Sequence, residues 1–290
     1  MTSSKTQPKP SLVQVLEHWQ DYGIGCKPAL VRTFTAGLNH ASYLLQVAQQ
    51  KLVLKIFTNP QPNAIRAQQW AAKLGLAPNI NFVSQEHDLI LMQHVESDTI
   101  NATKIRSEDL VKFGAALKLL HHSPSESLHK ELGEFDLLQF CHEYLHGLDE
   151  EIKTLHTRLL PALEPFINDT TAWTLCHNDL VSENCFVERG KVVFIDWEYA
   201  QLHNPWFDLA GIVLYFDLSQ KQAKVLFDGY QYGWSEKVAT PIYYSTLIAL
   251  LWIDILWHLA KYGMNYSLSM QSKWARLSGL ASELDTPLIF

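Results

Sequence analysis

The sequence predicts an α+β fold with two lobes, a small antiparallel sheet followed by a larger and mostly helical part. Three consecutive segments within residues 31–57 are rich in β-forming residues, whereas the chain after residue 93 shows mostly helical periodicity. A chain of 290 residues with 47% hydrophobic residues can bury a core in each lobe. We therefore expect a disordered lead at 1–10, a first lobe at 11–92 and a second lobe at 93–290.

The chain shows no pattern typical of secretion or membrane insertion. Met1 to Pro10 is rich in Ser, Lys and Pro, which favours a disordered lead over a signal peptide. The longest apolar stretch, Leu247 to Ala260, is interrupted by Asp254 and His258 and is too short to span a bilayer. The cysteines lack metal-ligand spacing, so we expect reduced thiols and a cytoplasmic protein. They are Cys26, Cys141, Cys176 and Cys185.

The net charge of −7 is unevenly distributed along the chain. Up to Met92 there are 8 Lys and Arg against 4 Asp and Glu, which gives +4, and the remainder has 15 against 26, which gives −11. A basic first lobe suits a polyanion such as ATP, and an acidic second lobe suits a cationic substrate. No basic cluster indicates a nucleic-acid partner.

The first lobe begins with an amphipathic helix over Ser11 to Tyr22, with Ser11 as its N-cap. Three antiparallel strands follow, at Val31–Phe34, Ser42–Val47 and Lys51–Phe57. The turn between the first two could cover a phosphate group. Because Gly37 is its only glycine, an ordinary hairpin turn is equally compatible with these residues alone.

Lys55 stands out because it lies near the end of an apolar strand. An ammonium group there needs an anionic partner or a route to the surface, so it is either a phosphate ligand or an ordinary solvated lysine. The helix predicted at Asn63–Leu74 follows in a position from which a glutamate could pair with this lysine. None of its residues carries a carboxylate. After a strand at His87–Met92, the extended link at 93–97 places backbone groups, including those of Gln93 and Val95, where they could bind an adenine edge.

The second lobe begins with two predicted helices that we interpret as packing scaffold. Ser107 is the expected N-cap of the first, with Glu108 and Asp109 in its first turn. The second is expected within Phe135 to His156.

A pattern of three short strands follows in the middle of the chain. Apolar segments at Trp173–Cys176, Cys185–Val187 and Val192–Ile195 predict strands, and Arg189-Gly190 predicts a tight turn between the last two. The polar loops at their ends should therefore lie close together.

Three polar side chains project from these strand ends, Asp179, Asn184 and Asp196. All offer oxygen atoms, which suit Mg²⁺ better than zinc or copper. The spacing from His177 through Asp179 and Asn184 to Asp196 on the next strand is the layout of kinase-type phosphoryl transfer. The alternative is that these are ordinary polar loop residues near turns.

Downstream residues could complete a site. Asp208 lies in the first turn of a helix opened by Pro205, where it is either a helix-start acid or a brace for the loop that carries Asp179. In the aromatic C-terminal third, Trp252, Asp254 and Trp257 share one predicted helix and could hold a cationic head group in a cleft. They could equally be core or surface residues.

These motifs together resemble the choline kinase and aminoglycoside phosphotransferase superfamily. The matching segments are Thr35-Ala-Gly-Leu-Asn39, Val53-Leu-Lys-Ile56, Gly75-Leu-Ala-Pro78, Leu119-Leu-His-His122, His177-Asn-Asp179 with Asn184, Ile195-Asp-Trp-Glu-Tyr-Ala200 and Asn204-Pro-Trp-Phe-Asp-Leu-Ala210. The resemblance implies a bilobal, protein-kinase-like fold that uses ATP and Mg²⁺ to phosphorylate a small-molecule alcohol.

The resemblance also implies a role for each matching residue. Asp179 would be the catalytic base, and Asn184 and Asp196 would bind the metal. Lys55, Gly37, Asn39, Gln93 and Val95 would contact the nucleotide, and His177 and Asp208 would support the catalytic loop.

Within the superfamily, Glu198 points towards choline and bacterial thiamine kinases, since aminoglycoside kinases usually lack a glutamate there. We therefore expect a cationic alcohol as substrate and Glu198, Trp252, Asp254 and Trp257 as its contacts. Aminoglycoside phosphorylation is the alternative within this fold, and a catalytically inactive binder of cations or nucleotides is the alternative of another class. The sequence does not predict an oligomeric state.

Overall fold

The computed structural model describes residues 11–34, 40–97, 100, 105–123, 126–263 and 267–286. The expected lead at 1–10 and the expected nucleotide contacts Gly37 and Asn39 lie outside the described residues.

The first lobe is a five-stranded antiparallel sheet with a helix on each face. Its strands are β1 (Ala29–Phe34), β2 (Ala41–Val47), β3 (Gln50–Ile56), β4 (Ile80–Val83) and β5 (Leu89–Gln93), in the order β1-β2-β3-β5-β4. The helices are α1 (Leu12–Glu17) and α2 (Pro62–Lys73). Of the strands, β4 was not predicted, because its four residues are too few to show a clear alternation.

Side-chain alternation along the strands explains the two packed faces. Leu45, Leu54 and Leu91 pack with Val15 of α1 on one side of the sheet. The opposite side buries Ile65 of α2 against the remaining apolar strand residues, namely Leu44, Val53, Ile90 and Met92. Ser11 caps α1 through a reciprocal capping box with Gln14, as predicted.

The second lobe is mostly helical and contains two small two-stranded sheets. Its helices are α3 (Ser107–His121), α4 (Glu126–Glu131), α5 (Leu137–Leu145), α6 (Glu150–Ile167), α7 (Trp206–Tyr215), α8 (Gln220–Tyr230), α9 (Pro241–Tyr262) and α10 (Leu268–Ser282). The sheets pair β6 (Thr174–Cys176) with β9 (Gln201–His203), and β7 (Cys185–Glu188) with β8 (Lys191–Phe194).

Two helix predictions need correction. Ser107 is the first helical residue of α3 and Arg106 occupies the N-cap position, so Ser107 is not the cap. The helix predicted from Ser11 to Tyr22 is shorter, because α1 ends at Glu17 and a short 3₁₀ helix follows at Trp19–Tyr22. The helical region predicted from Phe135 to His156 contains α5 and the start of α6, which follows Asp149 in extended conformation.

The apolar helix α9 is longer than the stretch identified in the sequence. It has 22 residues, and its most apolar 18-residue window has a mean hydropathy of 1.5, so by length and composition it could cross a membrane. However, 72% of that window is buried inside the protein. Packing in the core of the second lobe accounts for its apolar character.

Helices α3 and α8 cross at very short range because both carry glycine at the contact. A Cβ atom on Gly114 would lie 2.3 Å from the carbonyl oxygen of Leu226 and 2.4 Å from the backbone nitrogen of Tyr230. On the other helix, a Cβ atom on Gly229 would lie 2.8 Å from the backbone of Val111. This crossing fixes the position of α3 and hence of His121 at its end.

Hydrogen bonds to backbone carbonyl groups join the two lobes at the β7–β8 hairpin. The N–H of Phe194 in β8 donates to the carbonyl of Leu76, which follows α2, over 2.8 Å. On the other side, Ser97 of the link donates its hydroxyl to the carbonyl of Val187 in β7 over 2.9 Å. The hairpin is therefore fixed to the first lobe as well as to the second.

Candidate active site

The polar loops around the β7–β8 hairpin meet at one place. Arg189 and Gly190 form a two-residue turn with φ values of 49° and 80°, as predicted for a tight hairpin. The N–H of Ile195 donates to the carbonyl of Asn184 over 3.0 Å, which brings the two hairpin ends together. Asp196 then adopts a left-handed conformation, with φ 64°, immediately after the strand.

The structure brings Asp179, Asn184 and Asp196 together. The side-chain amide of Asn184 donates to both the carbonyl oxygen and Oδ2 of Asp179, each over 2.9 Å. Burial, followed by the nearby carboxylates of Asp196 and Glu198, raises the pKa of Asp179 to about 7. A concentration of buried carboxylate charge with amide oxygen nearby fits a divalent cation such as Mg²⁺.

Lys55 points into this cluster from β3. Its ammonium group forms an ion pair with Oδ1 of Asp196, and its side chain is only 10% exposed. Helix α2 supplies no acidic partner: Arg66 faces outward to Glu131 over 3.3 Å, and buried Gln68 donates to the carbonyl of Pro78 over 3.2 Å. Lys55 is thus oriented by Asp196 and not by a helix glutamate.

A pocket lies between the sheet, α2 and the segment after β8. Its lining combines a few charged side chains with a larger number of apolar ones, the composition expected of a small-molecule site. Its lining residues are Lys55, Phe57, Ala64, Ile65, Gln68, Ile90, Met92, Asp196, Trp197 and Glu198.

Asp208 braces the loop that carries Asp179. Its Oδ2 accepts the N–H of His177 over 2.8 Å, and its Oδ1 accepts the N–H of Asn178 over 2.8 Å. Burial would raise the pKa of this carboxyl, but the hydrogen bond from His121, 3.1 Å away, and the His177 contacts lower it, so that it stays ionised. Asp208 thus does more than start a helix.

His177 fixes the same loop from inside. It is fully buried, and its Nε2 donates to the carbonyl of Ile195 over 2.9 Å while Nδ1 accepts the N–H of Asp179 over 3.3 Å. Burial lowers the pKa of this imidazole, which keeps it neutral and able to accept that hydrogen bond.

His121 is a supporting residue to which the sequence analysis assigned no role of its own. Among the described residues, His121, Cys176 and Asp208 place ligand atoms within 4.8 Å of one another. Because Asp208 already accepts three hydrogen bonds and His121 also contacts Tyr230, we assign the group to loop support and not to a metal. Its position within Leu119-Leu-His-His122 was the available signal.

The tentative substrate contacts have different environments. Glu198 lies 2.7 Å from Nε2 of His40, at the start of β2. The prediction that Trp252 lines the cleft was wrong. Its side chain is fully buried and donates its indole N–H to His156 over 3.0 Å, so it is a core residue. Asp254 and Trp257 lie on α9 with partial exposure.

The described link between the lobes leaves some backbone donors available. The N–H groups of Gln93, His94 and Glu96 donate to Asn79, Lys51 and Glu188. Within the described part of the chain, the N–H of Val95 has no hydrogen-bond acceptor. Of the two expected adenine contacts, Val95 therefore has a free donor and Gln93 does not.

His203 supports the loop that carries Asp179, and its protonation links the stability of the protein to pH. It is buried among aromatic rings, and its Nδ1 donates to Oδ1 of Asn178 over 3.0 Å. Burial lowers its pKa from 6.5 to about 3, so the unfolded chain binds a proton below pH 6.5 that the folded protein does not. The contribution of His203 to stability is therefore lost as the pH falls, and we expect this contribution to the free energy of unfolding to drop by about 2 kcal/mol between pH 7.5 and pH 5. The raised pKa of Asp179 acts in the opposite direction, so the loss is measured as the difference between the wild type and a variant without His203.

Urea unfolding across this pH range would measure that loss in the wild type and in His203→Gln, which keeps a donor for Asn178 but does not titrate. The two curves should converge towards acid pH. Parallel curves would show that His203 does not contribute.

Comparison with known proteins agrees with this geometry. The model of the phosphotransferase enzyme family matches residues 31–237. LicA of Haemophilus influenzae is 42% identical over 64 residues, which make up 22% of this chain and 24% of that protein. The match thus spans about a quarter of that relative's length.

Two solved structures share the fold. Choline kinase LicA of Streptococcus pneumoniae superposes with a TM-score of 0.69 at 21% identity, over 87% of this chain and 94% of that one. A spectinomycin phosphotransferase in complex with ADP and spectinomycin gives 0.63 at 15% identity, over 96% and 95%. The predicted α+β, protein-kinase-like fold is confirmed. From the family match over most of its length, this chain belongs to the phosphotransferase enzyme family.

Proposed function

We propose that this protein transfers the γ-phosphate of ATP, with Mg²⁺, to the hydroxyl group of a small cationic alcohol. The convergence of Asp179, Asn184 and Asp196 on one point, with Lys55 paired to Asp196, carries the proposal. It is the arrangement that phosphoryl transfer needs, because that reaction depends on positioning and on neutralising phosphate charge.

Each group has a role that follows from its chemistry. Asp196 and the side-chain oxygen of Asn184 would hold Mg²⁺, which neutralises charge on the phosphates when it is bound. Lys55 would contact the phosphates as a point charge. Asp179 would accept the proton of the substrate hydroxyl, and its pKa near 7 suits a base at neutral pH.

The acidic character of the second lobe supports a cationic acceptor. Glu198 and Asp254 add carboxylates near Asp179, and both affect its pKa. Tyr199 and Trp257 add partly exposed aromatic surface, which attracts organic cations. A choline-like or thiamine-like alcohol carries the matching positive charge, and the fold shared with a choline kinase agrees with this choice.

Aminoglycoside phosphorylation is the second candidate, since a spectinomycin phosphotransferase shares the fold. Purified protein with ATP and Mg²⁺ should be offered choline, ethanolamine, thiamine, spectinomycin and kanamycin. Release of ADP and the phosphorylated product should both be measured. We expect product from a cationic amino alcohol or thiamine. Product from aminoglycosides alone would favour the second candidate, and binding without product would favour an inactive binder.

Lys55 provides a test of nucleotide contact. Replacing it with methionine removes a buried cation, and loss of one charge-assisted contact should raise the KM for ATP about tenfold or more. Lys51→Met on the same strand is the matched control, because Lys51 is exposed and should leave the KM unchanged. Equal KM values for wild type and Lys55→Met would remove Lys55 from the nucleotide site.

A further inference from the structure

An ion pair lies beside the acceptor side of the candidate site. Lys273 of α10 places its ammonium 2.9 Å from Oδ1 and 2.8 Å from Oδ2 of Asp254 on α9. The two side chains are only 23% and 20% exposed, so the pair is mostly buried but still reaches solvent. Charges in such a position are screened less than those on an open surface.

Asp254 is close enough to the reacting groups to influence them. After burial and the nearer carboxylates Asp196 and Glu198, Asp254 also helps to raise the pKa of Asp179. Burial raises the pKa of the Tyr215 hydroxyl as well, followed by Asp254 and then Asp179, which places this hydroxyl near both carboxylates. The packing agrees with this placement, because the Cβ position of Gly211 on α7 lies 3.5 Å from Leu180, which follows Asp179, and 4.0 Å from Leu250, one turn before Asp254. Helix α9 therefore passes beside the loop of Asp179, and we place Asp254 on the acceptor side of the site.

An aromatic surface adjoins the same carboxylate. Trp257 lies one turn further along α9, and the ammonium of Lys261 already lies 4.9 Å from the centre of its ring. This face of α9 thus combines one carboxylate with an indole that attracts cations. It is the kind of surface that binds an organic ammonium group.

We propose that Lys273 is a specificity-determining residue that competes with the cationic group of the substrate for Asp254. This inference deepens the function proposed above and rests on it. One carboxylate cannot form a full ion pair with two cations at once. A bound organic cation must therefore displace the Lys273 ammonium from Asp254 or lie next to a group of the same charge. In either case Lys273 lowers the affinity for cationic alcohols and selects for those whose remaining contacts compensate.

Replacing Lys273 with methionine tests the competition. We expect the KM for choline or thiamine to fall about fivefold, which corresponds to release of one partly exposed ion pair, while the KM for ATP stays unchanged. Lys273→Gln serves as a second variant if Lys273→Met folds poorly. Lys153→Met, which removes a lysine from an exposed pair with Glu150, is the matched control and should change neither constant.

Asp254→Asn separates competition from a general charge effect. It should raise the KM for the cation, and in its background Lys273→Met should give no further gain. An unchanged or higher KM in Lys273→Met, or a gain that persists without the Asp254 carboxylate, would overturn the inference.

Calorimetric titration of choline chloride without nucleotide distinguishes this inference from the proposed function. Binding that is tighter in Lys273→Met than in the wild type, with no phosphorylated product from either protein, would support the inference and reject the function. Turnover by both proteins with weaker binding in the variant would reject the inference alone. Neither binding nor turnover in any variant would reject both.

Discussion

Asp179→Asn should lower kcat by about 10²- to 10⁴-fold, because the loss of a general base removes that much from proton transfer. Asparagine has the same shape, and its oxygen can still accept the hydrogen bond that Asn184 donates to Oδ2. The loop should therefore keep its position, and the KM for ATP should change little. The measurement is release of ADP together with phosphorylated product, using an acceptor that the wild type phosphorylates.

Two comparison variants make this result specific. Asp217→Asn removes the same charge from a side chain that is 92% exposed and should retain wild-type activity. Asp196→Asn should also reduce kcat strongly, but in addition it should raise the Mg²⁺ concentration needed for half-maximal rate. A kcat for Asp179→Asn within tenfold of the wild type would reject its role as base. An identical Mg²⁺ dependence in Asp196→Asn would reject metal binding by that residue.

Gly114→Ala should destabilise the protein by about 3 kcal/mol or more, at the upper end of the cost of overpacking a core. The new methyl group would lie 2.3 Å to 2.5 Å from backbone atoms of α8, and backbone cannot rotate away as a side chain can. The helices α3 and α8 would have to separate, which would also displace His121 from Asp208. Chemical denaturation would measure the loss of stability, and activity should fall with it.

Gly279→Ala is the matched control within a helix of the same lobe. Nothing lies within 4 Å of its expected Cβ position, so alanine should stabilise α10 by roughly 0.5–1 kcal/mol through its higher helix propensity. The two substitutions are thus expected to have opposite signs. A Gly114→Ala protein as stable as the wild type would show that the α3–α8 contact can relax.

The sequence predicted those parts of the candidate site whose residues lie close together along the chain. Asp179 follows β6 closely, and Asn184 and Asp196 lie at the two ends of one tight hairpin, so strand pattern and turn residues were enough to predict their proximity. The ion pair of Lys55 with Asp196 could not be predicted in this way, because Asp196 lies 141 residues further along the chain. Contacts over such separations depend on how the lobes pack, and no local pattern encodes them.

The prediction for Trp252 on α9 was wrong for a different reason. This helix is apolar around most of its circumference, so periodicity does not reveal which face meets the cleft and which meets the core. Trp252 was therefore interpreted as a cleft residue although it donates to His156 in the interior. The pairing of Asp254 with Lys273 depends on the position of α10, which the sequence pattern did not define.

The hydrogen bonds at the β7–β8 hairpin connect the turn of Asp196 to both lobes at once. Phe194 donates to the carbonyl of Leu76, which follows α2 of the first lobe. The carbonyl of Ile195 accepts from Nε2 of His177, on the loop that Asp208 holds against the helical core. If the first lobe rotates to admit or release a nucleotide, the spacing of Asp179 and Asp196 should therefore stay nearly constant.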